Sequence, residues 1–180
     1  MLIYAHRGAS ADFPEMTESA YLGAVAQGAD GFECDLRLSR DEVPVLWHNA
    51  SMLERAGNRG LIAEMTFAEI KQAYPQILTL DGFLDIAIEE KKNILIETKH
   101  PVISGNRVEE ILVEKLRDRN VLKEIDVSVM SFSWGAIEKI VWEFHCNSIN
   151  LGHESHIKFI NEIHLGEYDI VHCHVANLAL

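Results

Sequence analysis

The sequence predicts a single α/β domain built around a parallel β-sheet. Short apolar runs rich in β-branched residues alternate with longer amphipathic segments, the pattern of repeated βα units. The chain has 180 residues, of which 48% are hydrophobic and 24% charged. Such a chain can bury one sizeable core, so we assign residues 1–180 to one domain.

The strands are assigned from short apolar runs, of which Ile94-Leu95-Ile96 is a clear example. We predict strands near residues 2–6, 31–37, 43–47, 93–98, 127–131, 147–151 and 169–174. Polar residues follow several of these runs directly. Because parallel α/β folds place their active sites at strand ends, these residues are candidates for a functional site.

The helices are assigned from apolar residues at helical spacing and from residues that favour helix starts. We predict helices near residues 17–27, 66–73, 80–91, 107–119, 133–144 and 155–164. Thr66 and Glu69 resemble a capping box, and Ser133 is a candidate N-cap. The segment 49–65 contains glycine and asparagine residues and is predicted to be a loop.

The charge and the cysteines exclude several classes of function. The formal net charge of −12 argues against electrostatic binding to nucleic acid or to an anionic membrane. Three widely spaced cysteines indicate neither a disulfide framework nor a zinc ribbon, so we expect reduced thiols and a cytoplasmic location. The N-terminal apolar run is too short for a signal peptide, and nothing approaches the ~20 apolar residues of a membrane span.

Five acid/base and metal-ligating side chains lie at the predicted strand ends: His6, Glu33, Asp35, His48 and Glu97. Residues i and i+2 of a strand point to one face, so the two carboxylates of the E-x-D pair project together. With Glu97 they form an all-oxygen set, which favours Mg²⁺, Ca²⁺ or Mn²⁺ over zinc. Taken alone, the pair is also compatible with a solvated strand end, and each histidine with a structural role.

Two histidines beside a carboxylate cluster supply the proton transfers that phosphoryl transfer requires. One takes a proton from the nucleophile and the other gives a proton to the leaving alkoxide. Arg7 and Lys99, each next to a candidate site residue, can hold the charged oxygens of a phosphate. The combination indicates hydrolysis of a phosphoester.

The ordered motifs resemble those of the glycerophosphodiester phosphodiesterase family over essentially the whole chain. The matching segments are 6–10 (HRGAS), 13–17 (FPEMT), 28–36 (GADGFECDL), 43–48 (VPVLWH) and 94–99 (ILIETK). The resemblance implies a TIM-type (β/α)8 barrel and hydrolysis of glycerophosphodiesters to glycerol 3-phosphate and an alcohol. It also implies a small-molecule substrate that belongs to lipid metabolism.

The resemblance assigns a role to each matching residue. It implies that His6 and His48 are the acid/base pair and that Glu33, Asp35 and Glu97 bind one divalent cation, Mg²⁺ or Ca²⁺, with Mn²⁺ as a further candidate. It also implies that Arg7 and Lys99 contact the phosphate and that Glu15 lies near the site.

The chain differs from the family pattern at three places. Met16 replaces the usual asparagine, Asn49 replaces the usual aspartate, and the last two βα units are missing, which leaves about six of eight barrel strands. We hypothesise a homodimer that covers the open barrel edge. Two alternatives stay open: a catalytically weakened member that binds a phosphorylated ligand, and a different phosphodiesterase or phospholipase of related barrel fold.

Overall fold

The computed structural model describes residues 2–148, 157–160 and 174–178. Its strands are β1 (Tyr4–His6), β2 (Gly31–Leu38), β3 (Pro44–Leu46), β4 (Asn93–Thr98), β5 (Val127–Ser131), β6 (Ile157–Ile160) and β7 (His174–Leu178). Its helices are α1 (Glu18–Ala26), α2 (Leu53–Ala56), α3 (Phe67–Ala73), α4 (Leu80–Glu89), α5 (Arg107–Asp118) and α6 (Trp134–Ser148). Two short 3₁₀ helices cover Ile62–Glu64 and Val121–Lys123.

The strands form one sheet in the order β1-β2-β4-β5-β7-β6, with β3 attached to the end of β2. The four strands from β1 to β5 along this order are mutually parallel. Their carboxyl ends therefore share one edge of the sheet, where a βα fold places its site. The prediction of an α/β fold with a parallel sheet is confirmed.

Local side-chain hydrogen bonds set the starts of several helices. Thr17 and Thr79 accept hydrogen bonds from the backbone N–H three residues later, at the N-termini of α1 and α4. Thr66 and Glu69 form the complete predicted capping box at α3. The Ser133 hydroxyl accepts a hydrogen bond from the backbone N–H of Ala136 at the start of α6, as its assignment as an N-cap predicts.

The main core lies between the sheet and helices α1, α4 and α5. At its centre Tyr21, Phe32 and Phe83 pack with ring centroids 4.8 to 6.3 Å apart. Cys34 is buried in the same cluster, on the opposite face of β2 from its neighbours Glu33 and Asp35. A second, smaller core fills the segment between β3 and α3 and contains Val45, Trp47, Met52, Ile62, Ile70 and Ile77.

Strand β3 pairs antiparallel with β2, unlike the other strands that carry site residues. Only five residues separate the two strands, and a parallel crossover needs a dozen or more. The Ser39 N–H donates to the carbonyl of Val43, and Glu42 adopts a left-handed φ of 60°, so the connection is a tight hairpin. The segment that carries His48 is thus folded back over the end of β2.

The sequence predictions are wrong in part after α6. The predicted helix near 155–164 contains strand β6, because Ile157, Phe159 and Ile160 also fit a short β pattern. Residues 147 and 148 of a predicted strand belong to α6, and its residues 149–151 lie outside the described residues. The predicted strand near 169–174 meets β7 only at His174, and residues 169–173 lie outside the described part. Strand β7 pairs antiparallel with both β5 and β6.

Among the described residues, no helix combines the length and the apolar character that crossing a membrane requires.

Candidate active site

Three buried carboxylates converge at the carboxyl edge of the sheet. Glu33 and Asp35 project from the same face of β2, and Asp35 lies in register with Glu97 on the adjacent strand β4. One oxygen from each of the three lies within 4.8 Å of the others. The sheet therefore joins acidic side chains that are more than 60 positions apart in the sequence.

The hydrogen bonding of the carboxylates fits a divalent cation. Oε1 of Glu33 is buried and has no hydrogen-bond partner, and both oxygens of Asp35 are buried and have only ion-pair neighbours. A buried, unsatisfied carboxylate oxygen is costly unless a charge compensates it. An all-oxygen donor set of this kind suits a hard cation such as Mg²⁺ or Ca²⁺.

Glu33 shows the electrostatic cost of this arrangement. Burial, followed by the charge of Asp35, raises the pKa of Glu33 from 4.5 to about 8. The backbone N–H of Arg7 donates to Oε2 of Glu33 at 3.0 Å and lowers the pKa, but does not offset burial. The carboxyl group of Glu33 is therefore largely protonated at neutral pH as long as no cation is bound.

Arg7 connects the carboxylates to Glu15. Its Nε lies 2.9 Å from Oδ2 of Asp35, and its Nη1 lies 3.2 Å from Oε2 of Glu15. On its other side Glu15 pairs with Nη2 of Arg55, in α2, at 2.5 Å. Asp35, Arg7, Glu15 and Arg55 thus form one alternating chain of charges from the centre of the site to its rim.

Lys99 lies on the opposite side of the carboxylates. Its Nζ donates to Oε1 of Glu97 at 2.6 Å and lies 3.1 Å from Oδ1 of Asp35. Arg7 and Lys99 therefore hold Asp35 from two sides, and their positive charges border the cluster where a phosphate oxygen would need them.

His6 lies in register with Glu33, at the end of β1. Its Nε2 is 3.8 Å from Oε2 of Glu33, and its side chain is 68% exposed. Partial loss of hydration, followed by the charge of Arg7, lowers the pKa of His6 below its usual 6.5. Because His6 favours its neutral form and Glu33 its protonated form, this contact is not an ion pair at neutral pH.

The ring of His48 is oriented by Asn49. Nδ1 of His48 lies 2.7 Å from Oδ1 of Asn49, and Nδ2 of Asn49 donates to Glu54. The amide oxygen can only accept, so Nδ1 of His48 carries the hydrogen and Nε2 is left for a substrate. The backbone is fixed as well, because the N–H of Trp47 donates to the carbonyl of Asp35 at 2.9 Å.

Arg37 is a site neighbour that the sequence analysis missed. It lies two residues after Asp35 on the same face of β2, and its Nε donates to the carbonyl of His48 at 2.9 Å. Burial lowers the pKa of Arg37, while Asp35 and Glu97 act in the opposite direction, so its guanidinium feels the charges of the carboxylates. The strand alternation that pairs Glu33 with Asp35 also predicts this position.

Arg55 was missed for a different reason. It lies in the four-residue helix α2, inside a segment predicted to be a loop. Nothing in the local sequence indicates that its side chain meets Glu15, 40 positions earlier.

A cavity of about 200 Å³ opens beside His48. It is lined by Arg7, Glu15, Trp47, His48, Asn49, Glu54 and Arg55, most of which are polar or charged. The structure thus brings all eight sequence-predicted site residues to one edge of the sheet, and three of them, Arg7, Glu15 and His48, line this cavity. Their chemical roles stay predictions.

The family model of the glycerophosphoryl diester phosphodiesterase family matches residues 6–160. A probable glycerophosphodiester phosphodiesterase 1 from Mycobacterium tuberculosis is 34% identical over 161 residues, which cover 77% of this chain and 59% of that protein. A glycerophosphodiester phosphodiesterase from Caldanaerobacter subterraneus subsp. tengcongensis is 28% identical and covers 71% of this chain and 57% of its own length. The chain thus spans less than two thirds of the length of these relatives.

Solved structures of similar proteins show the same fold. A glycerophosphodiester phosphodiesterase from Thermotoga maritima aligns with a TM-score of 0.67 and 26% identity, over 78% of this chain and 58% of that chain. A phosphodiesterase from Oleispira antarctica, in complex with the product sn-glycerol-3-phosphate, aligns with a TM-score of 0.71 and 26% identity, over 79% and 63%. The first four strands of the sheet order described above thus form part of a TIM-type barrel wall.

Proposed function

The chain belongs to the glycerophosphoryl diester phosphodiesterase family, and from this premise we propose that it hydrolyses a glycerophosphodiester to glycerol 3-phosphate and an alcohol. The observation that carries the proposal is the convergence of Glu33, Asp35 and Glu97. These buried carboxylates lie between the positive charges of Arg7 and Lys99 and next to His6, a combination that serves phosphoester hydrolysis. His48 follows Trp47, whose N–H donates to the carbonyl of Asp35.

Glu33, Asp35 and Glu97 are proposed to hold one divalent cation. When bound, the cation supplies Lewis acidity to a phosphoryl oxygen. The buried, unpartnered Oε1 of Glu33 supports this assignment. Either Mg²⁺ or Ca²⁺ suits the oxygen donors, and Mn²⁺ is a third candidate.

His6 and His48 are proposed to be the acid/base pair. One takes a proton from the attacking nucleophile, and the other, in its imidazolium form, gives a proton to the leaving alkoxide. His48 exchanges its proton through Nε2, because its Nδ1 is engaged by Asn49.

Arg7 and Lys99 are proposed to orient the phosphate. Both already contact Asp35, so their charged groups lie at the border of the cation site before a substrate arrives. Glu15, held between Arg7 and Arg55, is proposed to fix the position of the Arg7 side chain.

Two further proposals concern the environment of the protein. A cytoplasmic location is compatible with Cys34, a buried cysteine without a disulfide partner in the described residues. A homodimer that covers an open sheet edge is supported by the exposure of Leu2 and Ile3 beside strand β1.

Release of glycerol 3-phosphate from glycerophosphocholine and related diesters tests the proposed activity. We expect turnover with Mg²⁺ or Ca²⁺, loss of turnover with EDTA, and recovery when the cation is restored. The variant His6→Ala is expected to reduce kcat by about 10²- to 10⁴-fold. Absence of turnover of every diester tested, at saturating cation, would contradict the proposal. Binding of glycerol 3-phosphate without turnover would favour the weakened, ligand-binding alternative.

The cation site is tested separately with Glu97→Gln and a matched control, Glu109→Gln. Both glutamates are buried, but Glu109 lies in α5 and pairs with His100 instead of the carboxylate cluster. We expect Glu97→Gln to lose calorimetric binding of the cation and Glu109→Gln to keep it. Equal cation binding by the two variants would contradict the assignment.

A further inference from the structure

A second cavity, of about 140 Å³, adjoins the carboxylate cluster on the side of Lys99. It lies between the segment that follows β4 and the 3₁₀ helix at Ile62–Glu64. Most of its walls are apolar: Leu38, Leu61, Ile62, Pro101, Val102 and Ile103. Lys99 lines the cavity and also contacts Asp35 and Glu97, so the cavity borders the proposed cation and phosphate site through this side chain.

The charged side chains that line this cavity are Arg37 and Lys99. Lys99 is paired with two carboxylates. Arg37, in contrast, donates one hydrogen bond, from its Nε–H to the carbonyl of His48. In the described part of the chain, the two terminal nitrogens of Arg37 have no hydrogen-bond or ion-pair partner. The cavity therefore combines apolar walls with a positive charge that no neighbouring side chain pairs.

The two cavities suit the two arms of a glycerophosphodiester differently. The cavity beside His48 is lined by Glu15, Asn49 and Glu54, which can accept hydrogen bonds from the hydroxyl groups of glycerol. The cavity beside Lys99 offers few polar partners. Its walls favour a hydrocarbon group, and the guanidinium of Arg37 repels a positively charged one.

We infer that the cavity beside Lys99 receives the alcohol arm of the diester, and that Arg37 selects uncharged alcohols against cationic ones such as choline and ethanolamine. This inference rests on the proposed function. A cation bound at the carboxylates strengthens the selection, because it removes the negative charge that otherwise offsets Arg37.

The test compares two diesters of the same shape. Glycerophosphocholine carries a quaternary ammonium group, and the glycerophosphodiester of 3,3-dimethylbutanol carries an uncharged carbon in its place. For the full chain with Mg²⁺ we expect kcat/KM to favour the uncharged diester by about tenfold or more. The ratio is read within each protein, so a general loss of activity in a variant cancels.

Two variants probe the charge at Arg37. Arg37→Gln is expected to bring the ratio of kcat/KM for the two diesters close to one. Arg37→Lys is expected to retain most of the preference for the uncharged diester, because the positive charge is kept. Arg40→Gln is the control, since Arg40 is exposed and pairs with Glu69 outside the cavity. It should leave the preference for the uncharged diester as it is.

A third variant does not depend on removing Arg37. Ile103 lies at the rim of the cavity and is 82% exposed, so Ile103→Glu adds a carboxylate with little cost to folding. We expect this variant to shift the ratio of kcat/KM several-fold towards glycerophosphocholine, because the added carboxylate attracts the quaternary ammonium group.

Calorimetric titration of both diesters into the Mg²⁺-loaded protein measures the ratio of their dissociation constants, which does not depend on turnover. Binding that favours the uncharged diester in a protein without turnover would reject the proposed function and support the inference. Turnover of both diesters with equal kcat/KM, or a preference that Arg37→Gln leaves unchanged, would overturn the inference and support the activity.

Discussion

Glu33 is a residue whose chemistry depends on whether a cation is present. Its pKa is raised to about 8 in the folded chain, against 4.5 as the ordinary value, first by burial and then by Asp35. Between these values the folded protein holds a proton that the unfolded chain releases. The metal-free protein therefore loses stability as the pH rises through this window, by at most about 1.4 kcal/mol per pH unit.

Urea denaturation in EDTA at several pH values from 5 to 8 measures this effect. We expect the free energy of unfolding to fall with rising pH, and a saturating divalent cation to reduce the fall, because the cation stabilises the ionised carboxylate. Glu33→Gln cannot titrate and serves as the control, with a flatter pH profile in EDTA. A difference in stability between the wild type and Glu33→Gln that does not change from pH 5 to pH 8 in EDTA would contradict the raised pKa.

Asn49 orients the ring of His48 through a neutral contact. Its Oδ1 lies 2.7 Å from Nδ1 of His48, so Asn49→Asp would place a negative charge at nearly the same position. We expect this variant to strengthen the hydrogen bond at Nδ1, because a carboxylate accepts a charge-assisted hydrogen bond. A downfield shift of the Nδ1 proton in the NMR spectrum of the variant, compared with the wild type, measures the change.

Asn49→Asp also loses the amide that donates to Glu54 and brings two carboxylates together. Asn49→Ala, which removes both contacts without adding charge, separates these effects. An unchanged or upfield-shifted Nδ1 proton of His48 in Asn49→Asp would refute the prediction.

At the residue scale, the site residues placed by local rules were predictable from the sequence, and those placed by contacts between distant segments were not. The shared orientation of Glu33 and Asp35 follows from strand alternation, which is a local rule. The link from Glu15 to Arg55 depends on how a distant segment folds back, and no local pattern carries that information. Met16 has a left-handed φ of 54°. Asparagine tolerates this conformation better than methionine does. This gives a physical reason for the asparagine that the family resemblance leads us to expect here.

At the element scale, the segment between β1 and α1 combines several positive φ angles with close packing against α1. Arg7, Gly8 and Met16 all have positive φ, and the N–H of Met16 donates to the carbonyl of Arg7 at 2.9 Å. A Cβ atom on Gly8 would lie 2.7 Å from the backbone carbon of Ala20. Only glycine allows this segment to pack directly against α1.

Gly8→Ala and Gly28→Ala separate backbone conformation from packing. Both glycines have φ near +80°, but a Cβ atom on Gly28 meets nothing within 4 Å. We expect Gly28→Ala to cost about 1 kcal/mol, for the left-handed backbone alone. Gly8→Ala is expected to cost about 3 kcal/mol or more, since the clash with Ala20 is added.

Denaturant unfolding of both variants and the wild-type chain measures the difference. Equal losses of stability would show that α1 moves aside and that the packing at Gly8 is not tight.

The capped helices and the strands β2, β4 and β5 were predicted well, whereas the direction of β3 and the nature of β6 were not. The capping box at Thr66 fixes the start of α3 without help from the rest of the chain. The direction of β3 depends on the short hairpin at Glu42, and the strand at Ile157–Ile160 was read as a helix because its apolar residues fit both periods.

At the scale of the whole molecule, sheet register completes the cation site. Asp35 and Glu97 are direct neighbours in the pairing of β2 with β4, and a shift by one residue would turn Glu97 to the other face. The sequence predicted that both lie at strand ends. It could not predict their registration, because that depends on how the helices between the strands pack.

The sheet also presents an open edge at β1. In the described part of the chain β1 pairs only with β2, and the preceding residues Leu2 and Ile3 are 65% and 55% exposed. An exposed apolar edge strand is a template for association with another chain. We therefore expect the 180-residue chain to associate through this edge, against the repulsion of its net charge of −12.

Light scattering over a range of concentrations, with Ile3→Lys as the probe, tests association through the β1 edge. The lysine keeps the backbone hydrogen bonds that Asp30 and Gly31 donate to the carbonyl of residue 3, and adds a charge that edge strands use to prevent pairing. Leu22→Lys is the matched control, because Leu22 is 43% exposed on α1 and lies outside the sheet. We expect the first variant to remain monomeric at concentrations where the wild type and the control form dimers, since only the first places a charge on the edge. A wild-type chain that stays monomeric at micromolar concentration, or equal association of the three proteins, would show that the β1 edge does not mediate assembly.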